Sequence, residues 1–275
     1  MTGRRVARAL FGLWLAVFAT SVRADDPMLD TVYPSFECAA PAEVTRFKVQ
    51  LSNTARAIRR GKGLTIVAIG SSSTEGIGAS DRSHAYPAQL AAELKRNWPK
   101  LAIEVINKGV GGEDAQQMLQ RFGTDVLPYK PQLVIWQVGS NYTLRNSHLE
   151  DYADIVRKGI NQLKAANADV ILMDLQYAPK ILDRPLHRPM IDTVRAVGND
   201  AKVAIFRRFA VMRHWITNGS FRMEDIISRD HLHMNDISYG CIGRLLADSV
   251  VTAVAPTPAP ATAAHGGFAP SAALR

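Results

Sequence analysis

The sequence predicts an α/β fold: a three-layer α/β/α domain around a five-stranded parallel sheet. Three observations predict it. Short apolar runs alternate with amphipathic stretches along most of the chain. The runs are continuous and rich in β-branched residues, as strands buried on both faces are. Repeated strand–helix–strand order requires crossovers that cover both faces of a parallel sheet.

The elements follow in order. Residues 42–59 set Val44, Phe47, Leu51, Ala55 and Ile58 at helical spacing, and Gly61 and Gly63 end that helix. LTIVAIG (64–70) reads as the first strand. A second helix starts near Pro87, a favoured first-turn residue, and carries Leu90, Leu94 and Trp98. IEVIN (103–107) reads as strand two and 113–126 as a helix. LVIWQV (133–138) reads as strand three, with Trp136 facing the core. Tyr152, Ile155, Val156, Ile160 and Leu163 mark a long helix before strand four, VILMDL (170–175). A helix over 187–197 precedes VAIF (203–206), strand five, and Ile237 to Val250 form the closing helix. No repeat of 20–50 residues is visible, which excludes solenoids and propellers.

The ends of the chain read differently. Arg4, Arg5 and Arg8 precede an apolar run from Ala9 to Ala19, and Val22 and Ala24 are small residues placed as a signal peptidase requires. This is the plan of a signal peptide over 1–24, with an uncleaved amphipathic anchor as the alternative. The apolar run is too short for a membrane span, which needs about 20 residues. Residues 25–41 are then an N-terminal segment, 42–253 the folded domain, and 254–275 a Pro/Ala-rich tail expected to be disordered. The protein is expected to be exported, to a periplasm or the extracellular space.

The formal net charge is +8. Four arginines and no acid fall within residues 1–24, so 33 − 4 = 29 basic and 25 acidic residues remain, a net of +4. No run of five like charges and no basic stripe interleaved with aromatics is present, so nucleic acid is not indicated. Cys38 and Cys241 form an even pair, which an oxidising compartment allows to bridge; two buried free thiols are the other reading.

Ligands of parallel sheets bind beyond the carboxyl ends of the strands. The residues after each strand are therefore the informative ones. Strand one runs into Gly70-Ser71-Ser72-Ser73-Thr74-Glu75-Gly76. A serine in such a turn exposes its hydroxyl at a helix N-terminus, although serines there also serve as plain caps. Strand two runs into Asn107-Lys108-Gly109-Val110-Gly111-Gly112-Glu113-Asp114, a glycine-rich turn without a nucleotide fingerprint. Strand three runs into Gly139-Ser140-Asn141, whose amide is either a helix cap or an oxyanion donor. Near the end stands Asp230-His231-Leu232-His233, where a carboxylate three residues before an imidazole orients it. No third cluster of ligands accompanies the two histidines, so no metal is indicated.

In this order and placement the four blocks resemble those of the SGNH hydrolases, the GDSL esterase superfamily, across roughly residues 62–250. IVAIGSSSTEG resembles the first block; Thr74 and Gly76 fix its register, so Ser72 takes the nucleophile's place. Gly112 and Asn141 take the places of the oxyanion donors, and Asp230 and His233 those of the acid and base. Ser71 stands where the family has aspartate. The resemblance implies a flavodoxin-like fold and a serine esterase that needs no cofactor. Ser72, its own N–H, Gly112 and Asn141 would handle the oxyanion. Small acyl esters, acetyl foremost, or O-acylated glycans are the implied substrates. A lipase or thioesterase on longer chains and a non-catalytic glycan-binding relative are the alternatives. A monomer is the default expectation. By position, Gln176 and Tyr177 after strand four and Arg207 and Arg208 after strand five are candidates to line the substrate site, the arginines equally to begin a solvated helix. His231 is expected to face solvent or pack locally.

Overall fold

The computed structural model describes residues 38–147 and 149–256. The expected signal peptide, most of the 25–41 segment and the tail from residue 257 lie outside the described residues.

The five apolar runs form five parallel strands: β1 (Leu64–Gly70), β2 (Ile103–Gly109), β3 (Leu133–Gln137), β4 (Asp169–Met173) and β5 (Ala204–Phe206). Their order across the sheet is β2-β1-β3-β4-β5. The register pairs Ile66 with Val105 on one side and with Leu133 on the other. Val67, Ile69, Val134, Trp136, Ile171 and Met173 are wholly buried, as continuous apolar runs in a covered sheet must be.

Six helices of nine or more residues lie among the described residues: α1 (Ser52–Arg60), α2 (Tyr86–Asn97), α3 (Tyr152–Ala165), α4 (His187–Asp200), α5 (Arg208–Thr217) and α6 (Asp236–Val254). On one face α2 packs on β2 and against α6, which also touches α1. On the other, α3 packs beside α4 and a short helix at Ala115–Gln120. Neighbouring residues of β3 face these two layers in turn. Trp136 stacks edge-on against Phe122 and lies against Gly159 of α3, while Gln137 faces the other way, towards Ser71 and Thr74.

The predicted strands match the observed ones to within two residues. Two predicted helices are broken. Residues 42–59 form a short helix at Ala42–Thr45 and then α1, with extended backbone at Arg46. Tertiary contacts win over helical spacing there: Phe47 and Leu51 are buried, and the Leu51 N–H donates to the Ala253 carbonyl at 3.2 Å. Residues 113–126 break at Arg121, whose guanidinium turns to Glu113, Asp125 and the Lys108 carbonyl.

Cys38 and Cys241 are bridged, with Cα atoms 5.2 Å apart. The bridge ties the segment before Ala42 to α6, and both carbonyls beside it, of Cys38 and Ala39, accept from the Trp215 indole. By length and a mean hydropathy of 1.3, α6 alone among the described helices qualifies as a membrane span. It is instead a core helix, with Tyr239, Ile242, Leu246 and Val250 wholly buried.

Two predictions test this packing. Gly159→Ala gains about 1 kcal/mol of helix propensity. Its new methyl, however, meets the six-membered ring of the buried Trp136, and overpacking of that kind costs about 1–3 kcal/mol. A net loss of stability is expected in urea denaturation. The second concerns Asp174, just after β4 and wholly buried. Burial pushes its carboxyl up to about 6, against the opposing effects of the Phe209 N–H and the nearby Arg195, Arg208 and Arg207. The folded state therefore binds this proton more tightly than the unfolded chain does. Stability from Asp174 is present below pH 4 and is lost as pH rises to about 6. Relative to Asp174→Asn, the parent should lose on the order of 3 kcal/mol between pH 4 and 7, measured by denaturant unfolding of both proteins across that range.

Candidate active site

β1 ends at Gly70, and the chain turns at once into a single helical turn, Ser72–Glu75. The N–H groups of Thr74 and Glu75 donate to the Ser71 carbonyl, each at 2.9 Å. Of the three consecutive serines, Ser71 and Ser73 are buried at 1% exposure and Ser72 reaches the surface. The Ser72 hydroxyl lies 2.8 Å from His233 Nε2.

His233 sits on a tight loop between a short helix (Met223–Ile226) and α6. An Ile227–Met234 bridge closes this loop, and the Ser228 N–H donates to the His233 carbonyl at 2.8 Å. Inside it Asp230 Oδ1 accepts from the Ser228 hydroxyl at 2.7 Å and from the Leu232 and His233 N–H groups at 2.9 Å. Asp230 Oδ2 bonds His233 Nδ1. Partial burial acts to raise the Asp230 carboxyl, but these hydrogen bonds outweigh it and hold the group well below the usual carboxylate range. An ionised carboxylate only accepts, so His233 Nδ1 carries the proton and Nε2 is free to accept from Ser72. His231 takes the exposed left-handed position of the turn, φ 59°.

The loop after β2 stands against the serine. A methyl on Gly111 would lie 4.0 Å from Ser72 Cβ. Gly112 has φ 81°, which a side chain rarely adopts, so the loop turns there in a way that favours glycine. Two side chains from the turn after β3 (Ser140–Leu144, ending at Arg145) fasten this loop. Asn141 Nδ2 donates to the Glu113 carbonyl at 2.8 Å, and Arg145 donates to the Gly112 carbonyl and to Asp114. An amide has two N–H donors, so Asn141 retains a second one after this bond.

The remaining candidates separate. Gln176 and Arg208 do not line a surface site: they are exposed by 1% and 0% and point into the interior, where the backbone polar groups at the ends of β4 and α5 require partners. Arg208 also does not begin a solvated helix, because α5 is buried at Arg208 through Met212. Tyr177 is half-buried, edge-on to Phe209. Arg207 donates to the Glu43 carbonyl and, with Arg46, Lys48 and Arg195, lines a cavity of about 240 Å³ beside β5. A larger cavity of about 850 Å³ lies at the opposite, amino ends of β1 and β2, with Arg56, Arg60 and Lys62 among its walls. Gln137 escaped the sequence reading. Its Oε1 accepts from the Ser71 N–H and hydroxyl at 2.8 and 3.0 Å, which sets the turn before Ser72. The available signal was a single amide interrupting the apolar run LVIWQV.

The non-GDSL lipase-like family matches residues 37–256. Over 127 residues the chain is 28% identical to an acetylxylan esterase of Geobacillus stearothermophilus, covering 42% of this chain and 58% of that protein. Over 112 residues it is 29% identical to thioesterase 1/protease 1/lysophospholipase L1 of Escherichia coli strain K12, covering 41% of this chain and 51% of that protein. The chain thus spans little more than half the length of these curated relatives. A solved two-domain esterase active on acetylated mannans superposes with a TM-score of 0.66 at 17% identity, over 84% of this chain and 60% of that one. The Geobacillus stearothermophilus acetylxylan esterase Axe2 superposes with a TM-score of 0.57 at 20% identity, over 72% of this chain and 96% of that one. Both likenesses are of fold. The family match spans all the described residues, and the chain belongs to the non-GDSL lipase-like family, within the SGNH/GDSL hydrolase superfamily.

Proposed function

We propose that this chain is an exported serine esterase that hydrolyses small acyl esters through Ser72, His233 and Asp230. The observation that carries the reading is the line of contacts from Asp230 through His233 Nδ1 and Nε2 to the Ser72 hydroxyl, the last at 2.8 Å. Such a line makes a serine nucleophilic. His233 takes the hydroxyl proton as Ser72 Oγ bonds the ester carbonyl carbon. Asp230 keeps the imidazole in the required tautomer and stabilises its charged form. The Ser72 and Gly112 N–H groups and the free N–H of Asn141 receive the oxyanion. His233 then gives the proton to the departing alcohol. Water, deprotonated by His233, releases the acid and restores Ser72.

Acetylated glycans are the favoured substrates, supported by relatives named for acetylxylan and acetylated mannans. The thioesterase/lysophospholipase relative supports a second reading on longer acyl chains. Export is supported by the leader-like residues 1–24 and by the Cys38–Cys241 bridge, since disulfides persist in oxidising compartments. The folded enzyme is residues 42–253 with its bridged N-terminal arm.

The test is hydrolysis of p-nitrophenyl acetate. Ser72→Ala should abolish it and abolish labelling by a fluorophosphonate; undiminished activity would remove Ser72 from the role. Asn141→Ala should lower kcat about 10²–10³-fold with little change in KM. Along a p-nitrophenyl ester series, kcat/KM should fall from acetate to octanoate; a rise would select the long-chain reading.

A further inference from the structure

The residues just before Ser72, Asn141 and His233 are Ser71, Ser140 and Leu232. All three are bonded into one line of buried side chains beneath the site. Gln137 Oε1 accepts from Ser71 and, at 3.3 Å, from the Thr74 hydroxyl. Gln137 Nε2 donates to the Ser140 hydroxyl at 3.4 Å. That hydroxyl donates to Gln176 Oε1 at 2.8 Å, and Gln176 Nε2 donates to the Leu232 carbonyl at 3.3 Å. At the end stands Arg208, whose Nη2 donates to Gln176 Oε1 and whose Nε donates to the Asp174 carbonyl, each at 3.0 Å.

A wholly buried arginine is costly, and its desolvation is only partly offset here. Asp174 acts on it through space, but no carboxylate forms an ion pair with it among the described residues. Among the described residues its Nη1 has no hydrogen-bond partner. Filling space would be achieved at lower cost by methionine or leucine. What the guanidinium adds is direction, because it has donors and no acceptor. It obliges Gln176 to present Oε1 to it and to turn its NH₂ to Leu232. Ser140 then donates to the same oxygen and accepts from Gln137. Gln137 in turn must present Oε1 to Ser71 and Thr74. The Ser71 N–H, which only donates, and the Leu232 carbonyl, which only accepts, require the same sense as the guanidinium, so three groups of fixed sense agree along the line.

We propose that Arg208 and Gln176 are positioning residues that hold the turns of Ser72, Asn141 and His233 in register for catalysis. The inference rests on the catalytic reading above.

The experiment compares the parent with Gln176→Met, Arg208→Met and the double variant. Each is titrated with a fluorophosphonate, which gives both the fraction of competent sites and the labelling rate. Kinetics on p-nitrophenyl acetate are then expressed per titrated site. Gln176→Met, close to the parent in volume, should melt cooperatively and titrate near stoichiometrically. Its kcat per site and its labelling rate should each fall about tenfold, with KM within twofold. A role in folding alone would lower the titrated fraction or the melting temperature and leave kcat per site within twofold, and that result would overturn the proposal. If Arg208 acts through Gln176, the double variant should be no slower per site than the slower single one; multiplied losses would remove Arg208 from the role. Should Arg208→Met fail to fold, Gln176→Met decides alone. A parent that is neither labelled nor active would overturn the catalytic reading, and this inference with it. A parent that labels, with Gln176→Met labelling at the same rate, would overturn this inference only.

Discussion

The docking of α6 on α2 is the contact on which the site depends. Ser72 and His233 are 161 residues apart in the chain, and nothing local brings them together. The loop that carries His233 leads directly into α6, capped by Asn235, whose side chain accepts from the Ser238 N–H and donates to the Asp225 carbonyl. Two further bonds join the start of α6 to the segment just after the serine. Tyr239 donates to the Ile77 carbonyl at 2.8 Å, and Asp236 accepts from the Ser80 N–H at 2.8 Å. The disulfide at Cys241 adds a covalent tie on the same helix. The sheet supplies a fixed frame, and the loop leading into α6 brings His233 to it.

The turn before the serine shows how one substitution is accommodated. Gly70-Ser71-Ser72-Ser73 stands where a GDSL motif would carry an aspartate at position 71. Here Gln137 Oε1 gathers three donors, two of them from Ser71. An aspartate would set a carboxylate against that oxygen. Gln137 would then have to turn its NH₂ toward it and give up the N–H of residue 71, which can only donate. Serine at 71 and glutamine at 137 are therefore a matched pair, and the turn of Ser72 keeps its shape with no acid behind it.

Much of this was legible in the sequence. Strands buried on both faces leave continuous apolar runs, so LTIVAIG and LVIWQV could be placed almost to the residue. The four blocks after strands one, two and three and before the last helix pointed to Ser72, Gly112, Asn141, Asp230 and His233; of these, Asp230, His233 and Ser72 are in line by hydrogen bonds, and Asn141 bonds the Glu113 carbonyl next to Gly112. Periodicity failed where burial is not one-sided. In α5 Arg208, Phe209, Ala210, Val211 and Met212 are all buried, so no polar stripe marks it as a helix. It failed again at 46–51, an irregular stretch whose Leu51 N–H donates to the Ala253 carbonyl of α6 instead of continuing a helix. The inward turn of Arg208 and Gln176 had no local signal. An arginine after a strand reads as solvated unless the acceptors that receive it are known, and those are the Asp174 carbonyl and Gln176 Oε1, in the segment just after β4.

The position of the base near the end of the folded chain has a consequence for synthesis. A chain emerging from its amino end can complete β1 early, but Ser72 has no histidine beside it until the loop at Asp230–His233 and α6 have followed. Closing contacts of this sequence separation is entropically costly and slow. Cys38 likewise waits for a partner 203 residues further on. The contact between Ser72 and His233 and the covalent tie at Cys241 thus both wait for the same late stretch of chain, residues 230–241.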